Sequence, residues 1–158
     1  MAKTYIGIDN GASGSVGVIC PEGLKYQERI PSFKALNYQK KKQFITRVDH
    51  CKLREMLRGL GESFCLVERP FTGQNAKTVS AGMRAFEAVL ITLEILAIPY
   101  QIVDSKEWQG ELLPSGIKGS AALKSAGKDV AKTLFPNMTF KGDADGILIA
   151  EYARRKNL

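Results

Sequence analysis

Four acidic residues carry the chemistry that this sequence can offer. Asp9 closes the apolar, strand-like TYIGI, Glu68 closes the apolar FCLV, and Asp143 and Asp145 stand just before the apolar run GILIA. If the first and central strands are neighbours, Asp9 and Glu68 emerge at one rim of a sheet, and carboxylates gathered there repel one another unless protonated, paired or metal-bound. With neither histidine nor cysteine adjoining these acids, the hard ions Mg²⁺ or Mn²⁺ are the natural guests. Two such ions ~4 Å apart activate a water and stabilise the leaving oxygen of a phosphodiester. Each acid taken singly has a plainer role: Asp9 as a turn cap, Glu68 as the partner of Arg69, Asp143 or Asp145 as a helix N-cap. In combination they point to metal-assisted phosphodiester hydrolysis.

Other chemistries lack material. The single histidine, His50, lies beside Asp49 in a polar stretch and reads as a surface residue at a helix start. The three cysteines, Cys20, Cys51 and Cys65, share no CxxC or Cys/His spacing, so neither a disulfide framework nor a structural zinc site is supported, and a reducing compartment is the default. No charged leader with an apolar h-region and no membrane-length apolar run is present, so the expectation is a cytoplasmic protein that engages no membrane. Lys plus Arg number 23 against 16 Asp plus Glu, a net charge of +7. That excess favours a polyanionic partner or serves solubility.

The 158 residues, 44% of them hydrophobic, suit a single domain spanning 1–158. Strands are predicted at 4–9, 15–20, 24–30, 64–68 and 100–104, and helices from Asp49, over 76–98, 120–135 and 145–156. Residues 31–48 read as an irregular, mobile loop in which Lys34, Lys40, Lys41, Lys42 and Arg47 interleave with Phe33, Tyr38 and Phe44. In the 76–98 helix, Val79, Met83, Phe86, Leu90, Leu93 and Ala97 form an apolar stripe directed at the core, and its other apolar positions are left for a partner surface. The expected architecture is a mixed sheet covered by helices.

The blocks IGIDNGASGSVGVI, LVERPF, NAKTVSAGM, GSAALKSAGKDVAKTLF and DADGILIAEYARR, in that order, resemble the successive blocks of the RuvC-type Holliday junction resolvases, especially their shorter phage-like relatives. The resemblance spans nearly the whole chain. It implies an α/β, ribonuclease H-like fold, a mixed β-sheet flanked by α-helices, together with a homodimer and Mg²⁺-dependent paired nicking of four-way DNA junctions. It matches Asp9, Glu68 and Asp145 to the family's metal ligands, Phe71 to an aromatic that stacks on bases near the junction centre, and Lys124 to a lysine near the scissile phosphate. Lys106 matches another such lysine, and Asn75, Lys118 and Lys128 complete the implied DNA-contacting set. The family places its other helical acid three or four residues before the last one, where this chain has Gly142 and Lys141, so Asp143 is the substitute.

Lys124, Lys128 and Lys132 recur every fourth residue, a stripe that tracks phosphates or simply solvates one face of an amphipathic helix. Two other readings remain open at this level. One is a branched-DNA-binding relative without catalysis, suggested by the altered Asp143 spacing. The other is an actin-like phosphotransferase using IGIDNGASGS as a phosphate hairpin, against which the chain length argues, since such proteins need two domains around a nucleotide.

Overall fold

The computed structural model describes residues 2–140 and 142–158. In chain order the elements are β1 (Thr4–Ile8), β2 (Ser15–Ile19), β3 (Lys25–Arg29), β4 (Ser32–Leu36), β5 (Phe44–Val48), α1 (His50–Leu57), β6 (Ser63–Glu68), α2 (Ala76–Ile95), β7 (Tyr100–Val103), α3 (Ser105–Leu112), α4 (Ser120–Leu134) and α5 (Asp145–Lys156). Five strands form one mixed sheet in the order β3-β2-β1-β6-β7. The first three make an antiparallel meander, and β6 and β7 add in parallel beside β1.

Alternation along the strands sorts the side chains into two cores. Ile6 and Ile8 of β1, Val16 and Val18 of β2, and Cys65 and Val67 of β6 pack with Leu53 and Leu57 of α1 and with Ala85, Val89 and Leu93 of α2. Tyr5, Ile19, Phe64 and Leu66 point the other way and meet Trp108 of α3, Ala131 of α4 and the apolar face of α5, from Ile147 to Ala153. Both faces of β1, β2 and β6 are covered, which is why their sequences read as continuous apolar runs.

The second face has gaps where glycine replaces a side chain, and there α5 presses backbone to backbone on the sheet. A Cβ added at Gly7 would lie 2.2 Å from the carbonyl oxygen of Gly146, and one at Gly17 would lie 2.2 Å from the amide nitrogen of Ile147. Gly146 returns the constraint, since its own Cβ would meet the amide nitrogen of Gly17 at 2.7 Å.

Two expectations are corrected and one element, α3, is added. Residues 31–48 are not an irregular loop: β4 and β5 pair antiparallel as a separate two-stranded sheet, with Ser32 opposite Val48 and Leu36 opposite Phe44. The connection 37–43 contains no glycine, and an Asx contact from Gln39 N–H to Asn37 Oδ1 supplies the turn instead. Residues 105–112 form α3, whose entry is marked by Glu107 accepting a hydrogen bond from the Asp104 backbone N–H, one half of a capping box. In α2 the buried line is Ala85, Val89, Thr92 and Leu93, whereas Met83 and Ala97 are exposed and the helix ends at Ile95. Thr92 tolerates this burial because its hydroxyl donates to the Ala88 carbonyl at 2.7 Å. His50 is exposed at the start of α1, as expected.

The close approach of α5 gives a test of the architecture. Gly17→Ala is expected to destabilise by at least ~3 kcal/mol, at the upper end of overpacking costs, because backbone rather than a flexible side chain blocks the added carbon. Gly110→Ala in α3, where nothing lies within 4 Å, should be neutral or stabilising by up to ~1 kcal/mol. Urea unfolding of the two variants reads the difference, and equal stabilities would refute the close packing.

Candidate active site

Strand parity builds the site. Asp9 follows β1 and Glu68 ends β6, and because Ile8 pairs with Val67 in a parallel ladder the two acids project side by side on the face occupied by α5. Asp9 is fixed by the turn that follows it: its N–H donates to the Ser15 carbonyl at 3.0 Å, and Gly14 packs so tightly on the Asp9 carbonyl that a Cβ there would approach to 2.0 Å. On the opposite side, α5 begins at Asp145 with Asp143 just before it. Carboxylate oxygens of Asp9, Asp143 and Asp145 all lie within 4.8 Å of one another. Asp143, at its unusual spacing, is thus brought to the same place as the other two. Lys141, at one of the two positions the family pattern points to, lies outside the described residues.

Buried polar contacts hold the helix end in register. Ser15 Oγ donates to Asp143 Oδ1 at 2.8 Å and accepts from the Gly146 N–H at 3.0 Å. Gln27 does the same across β3, its Nε2 donating to the Asp143 carbonyl at 2.6 Å and its Oε1 accepting from the Ile147 N–H at 2.8 Å. Two free N–H groups of the first helical turn are satisfied this way. Glu68 stands differently. It is outside the three-acid group, and its Oε2 accepts a 2.7 Å hydrogen bond from the indole Nε1 of Trp108, a residue 1% exposed.

The electrostatics are those of a crowded, half-buried anion cluster. Burial, and then the charge of Glu68 and the two helical aspartates, hold the Asp9 carboxyl well above the ordinary carboxylate range. Burial also raises Glu68, against the opposing Trp108 hydrogen bond. Asp145 is pushed up to about 7, by burial and then by Asp143. Among the described residues one ammonium is paired with these acids: Lys124 Nζ lies 3.3 Å from Asp143 Oδ2. Burial works against its charge, but Asp143, Asp145 and Asp9 outweigh that and raise its pKa. The donor set is all carboxylate oxygen, partly buried and short of positive charge, which fits a hard divalent cation such as Mg²⁺ or Mn²⁺.

The residues matched to DNA contacts lie on several different elements. Phe71 is 68% exposed, with its ring lying over Gly73, where a Cβ would sit 2.0 Å from the ring carbons. Asn75 caps α2, its Oδ1 accepting from the N–H groups of Lys77 and Thr78. Lys106 on α3 and Lys118 before α4 are exposed, Lys128 is half-buried on α4, and Lys132 is exposed one turn further on. Arg69 does not pair with Glu68, as a plain reading of the sequence had it; its Nε is 2.7 Å from Asp104 Oδ1. Sequence reasoning missed Ser15, Gln27 and Trp108. The first two sit at alternate-face strand positions that become meaningful only once α5 is known to lie there. The third is the chain's single tryptophan, and a buried indole N–H needs an acceptor.

No family model matches the chain, and no curated protein sequence matches it significantly. Among solved structures, the Thermus thermophilus RuvC structure in complex with a Holliday junction substrate superposes with a TM-score of 0.64 at 13% identity, covering 98% of this chain and 96% of that one. A second T. thermophilus RuvC structure gives a TM-score of 0.56 at 16% identity over the same shares of each chain. The fold is therefore the RuvC-type, ribonuclease H-like α/β arrangement that the sequence blocks implied.

The raised acids dictate a pH signature. A carboxyl whose pKa is higher folded than unfolded binds more protons when folded, so stability falls as pH rises from the unfolded value through the folded one. For Asp145 that window runs from 3.8 to about 7. Metal-free protein is expected to melt lower at about pH 8 than at about pH 6. Asp145→Asn should raise the melting temperature at the higher pH by roughly 2–8 °C, corresponding to about 1–2 kcal/mol. Mg²⁺ or Mn²⁺ should stabilise the parent more at the higher pH and alter Trp108 emission through Glu68. Calorimetry and fluorescence titration check both, and a metal-independent melting temperature would refute the cation site.

Proposed function

We propose that this chain is a divalent-metal-dependent endonuclease that cleaves branched DNA, with the four-way junction as its substrate and crossover-junction endodeoxyribonuclease as its activity. The observation that supports this most is the meeting of Asp9, Asp143 and Asp145 beside Glu68 in a fold whose neighbour was solved on a Holliday junction. The reading makes the protein part of DNA recombination and repair.

In this reading Asp9, Asp143 and Asp145 hold Mg²⁺, or Mn²⁺ in its place, and Glu68 completes the ligand set with one oxygen anchored by Trp108 and the other left free. The bound ions supply activation of a water for attack on phosphorus and stabilisation of the departing oxygen. Ser15 and Gln27 keep the two helical acids from drifting apart under their mutual repulsion. Lys124, partly exposed above Asp143, puts a positive charge where a phosphate must approach four carboxylates. Phe71 offers an open ring face to a base unpaired at the branch. Asn75, Lys106, Lys118 and Lys128 contact the flanking backbone, and Lys106, Lys118 and Lys128 take part in none of the ion pairs among the described residues.

Paired cuts across a junction need two active sites, and a homodimer supplies them. Met83, Ile91 and Ile95 are exposed at helical spacing on α2, and Ile102 is exposed on the edge strand β7. An apolar strip of this kind suits burial against a second copy.

Cleavage of end-labelled four-way junctions tests the reading. Asp9→Asn is expected to lower the Mg²⁺-dependent rate by a factor of at least ~10³ while junction binding stays equal or tightens, since a ligand and a repulsive charge are removed together. Near-normal turnover in that variant at saturating Mg²⁺ would end the assignment. Phe71→Ala should slow junction cleavage roughly 5- to 100-fold, in line with ~1–3 kcal/mol of stacking, with little change in melting temperature. Ile95→Asp should shift the sedimenting species from dimer to monomer; a parent protein that sediments as a monomer while nicking both strands in concert would refute the dimer.

A further inference from the structure

The β4–β5 hairpin takes no part in the central sheet or in the acidic cluster, and its surface composition is unlike the rest of the chain. Residues 31–48 contain Lys34, Lys40, Lys41, Lys42 and Arg47 and no acidic residue. All five cations are exposed, and none joins an ion pair among the described residues. Four large apolar side chains are exposed among them: Phe33 at 42%, Leu36 at 54%, Tyr38 at 72% and Phe44 at 71%. The hairpin is anchored by β5, which packs beside α2, through buried Val48, and by a 2.7 Å hydrogen bond from Asp49 N–H to the Pro31 carbonyl.

The register determines where these groups face. Lys34 pairs with Thr46 and Leu36 with Phe44, and since cross-strand partners share a face and alternate pairs repeat it, all four project to one side. Thr46 lines a cavity of about 380 Å³, whose other walls are the Asn10–Ser13 turn after Asp9, the Phe71 ring, and Thr78, Ala81 and Gly82 of α2. The apolar and cationic face of the hairpin therefore continues the surface that begins at the acidic rim, across the cavity from Phe71.

We propose that the β4–β5 hairpin is a nucleic-acid arm. It takes the strand unpaired next to the cleavage site, with its phosphates on Lys34 and the Lys40–Lys42 tip and its bases against Phe44 and Leu36. The inference deepens the nuclease reading and rests on it for the identity of the strand. Charge complementarity selects the occupant: three consecutive lysines with no acid in the whole hairpin repel a second copy of themselves and attract a polyanion. Stacking on Phe44 requires open base faces, which an unpaired strand offers and an intact duplex does not. A lipid surface fits less well, because Leu36 and Phe44 share the face of Thr46, which looks into the cavity rather than away from the protein.

Fluorescence anisotropy with labelled four-way junction, linear duplex and single strand tests the arm in two variants. Lys40→Gln/Lys41→Gln/Lys42→Gln is expected to weaken junction binding at least ~10-fold at physiological salt and to lower the slope of log K against log salt by about 2–3, near 0.7–0.9 for each phosphate that is no longer neutralised. Phe44→Ala should weaken junction and single-strand binding roughly 5- to 100-fold and leave linear duplex within about 2-fold. Melting temperatures should match the parent in both, because the substituted side chains lie outside the two cores. If the parent binds these DNAs without cleaving them and the variants still lose affinity, the nuclease reading fails and the arm stands. If the parent cleaves and both variants bind with unchanged affinity and salt slope, the arm is overturned and the nuclease reading stands. Loss of dimerisation or of binding to anionic phosphatidylserine vesicles, with DNA affinity intact, also overturns it, reassigning the hairpin to a second copy or a membrane.

Discussion

The backbone contact between α5 and the β1–β2 pair is the constraint from which the site follows. Gly7, Gly17 and Gly146 together remove the side chains that would hold a helix at its usual distance from a sheet. With the helix drawn in, the N-terminal turn of α5 reaches the rim where Asp9 leaves β1, and Ser15 and Gln27 come within hydrogen-bonding distance of its first free N–H groups. A helix set further out would leave those groups unsatisfied and the helical aspartates beyond reach of Asp9. The same contact that packs the core thus sets the spacing of the acids.

Assembling like charges at a half-buried rim works against stability, and the fold offsets it locally, by hydrogen bonds and the Lys124 ion pair, without neutralising all four acids. Asp143 is restrained by the Ser15 hydroxyl, the Gln27 amide and the Lys124 ammonium, and Asp145 sits at the positive end of the α5 dipole. At the other end of α5, Arg154, Arg155 and Lys156 complement the dipole, with both arginines gripping the buried Glu151 carboxylate at 2.8 Å. Those two hydrogen-bonded arginines outweigh burial and hold Glu151 below its usual range, whereas Asp9, Glu68 and Asp145 are raised. The contrast within one face of the molecule separates an acid that stabilises the fold from acids kept in an environment that favours a cation.

Much of this was legible in the residues. Unbroken apolar runs before Asp9 and Glu68 announced buried strands with acids at their ends, and the amphipathic patterns of α4 and α5 gave those helices within a residue. What escaped depended on tertiary packing. The α2 stripe was read only in part: Phe86, Leu90 and Leu93 do pack on the core, but Ala85 and Thr92, neither strongly apolar, share the buried face in place of Met83 and Ala97. The β4–β5 hairpin lacked a glycine turn, and its exposed strands have no one-sided alternation to report. Trp108 could be seen, but its partner Glu68 is forty positions away and adjoins it only once α3 folds beneath β6.

The net charge of +7 conceals a division that only the contacts reveal. Arg69, Arg154, Arg155 and Lys156 are spent on Asp104, Glu151 and Glu111, so the basic C-terminal turn that stands out in the sequence contributes little to the outer field. Among the cations outside such pairs are those of the hairpin, with Lys106, Lys118 and Lys128. Screening limits each charge to about 8 Å at physiological salt, so a phosphate entering among four carboxylates feels mainly the cations that border its path. An acidic centre can accept a polyanion under those conditions only if the strand is held on either side of it. In the proposed reading the unpaired basic residues of the hairpin and of the α3–α4 region would meet that requirement, whereas the same number of cations placed uniformly over the surface would not.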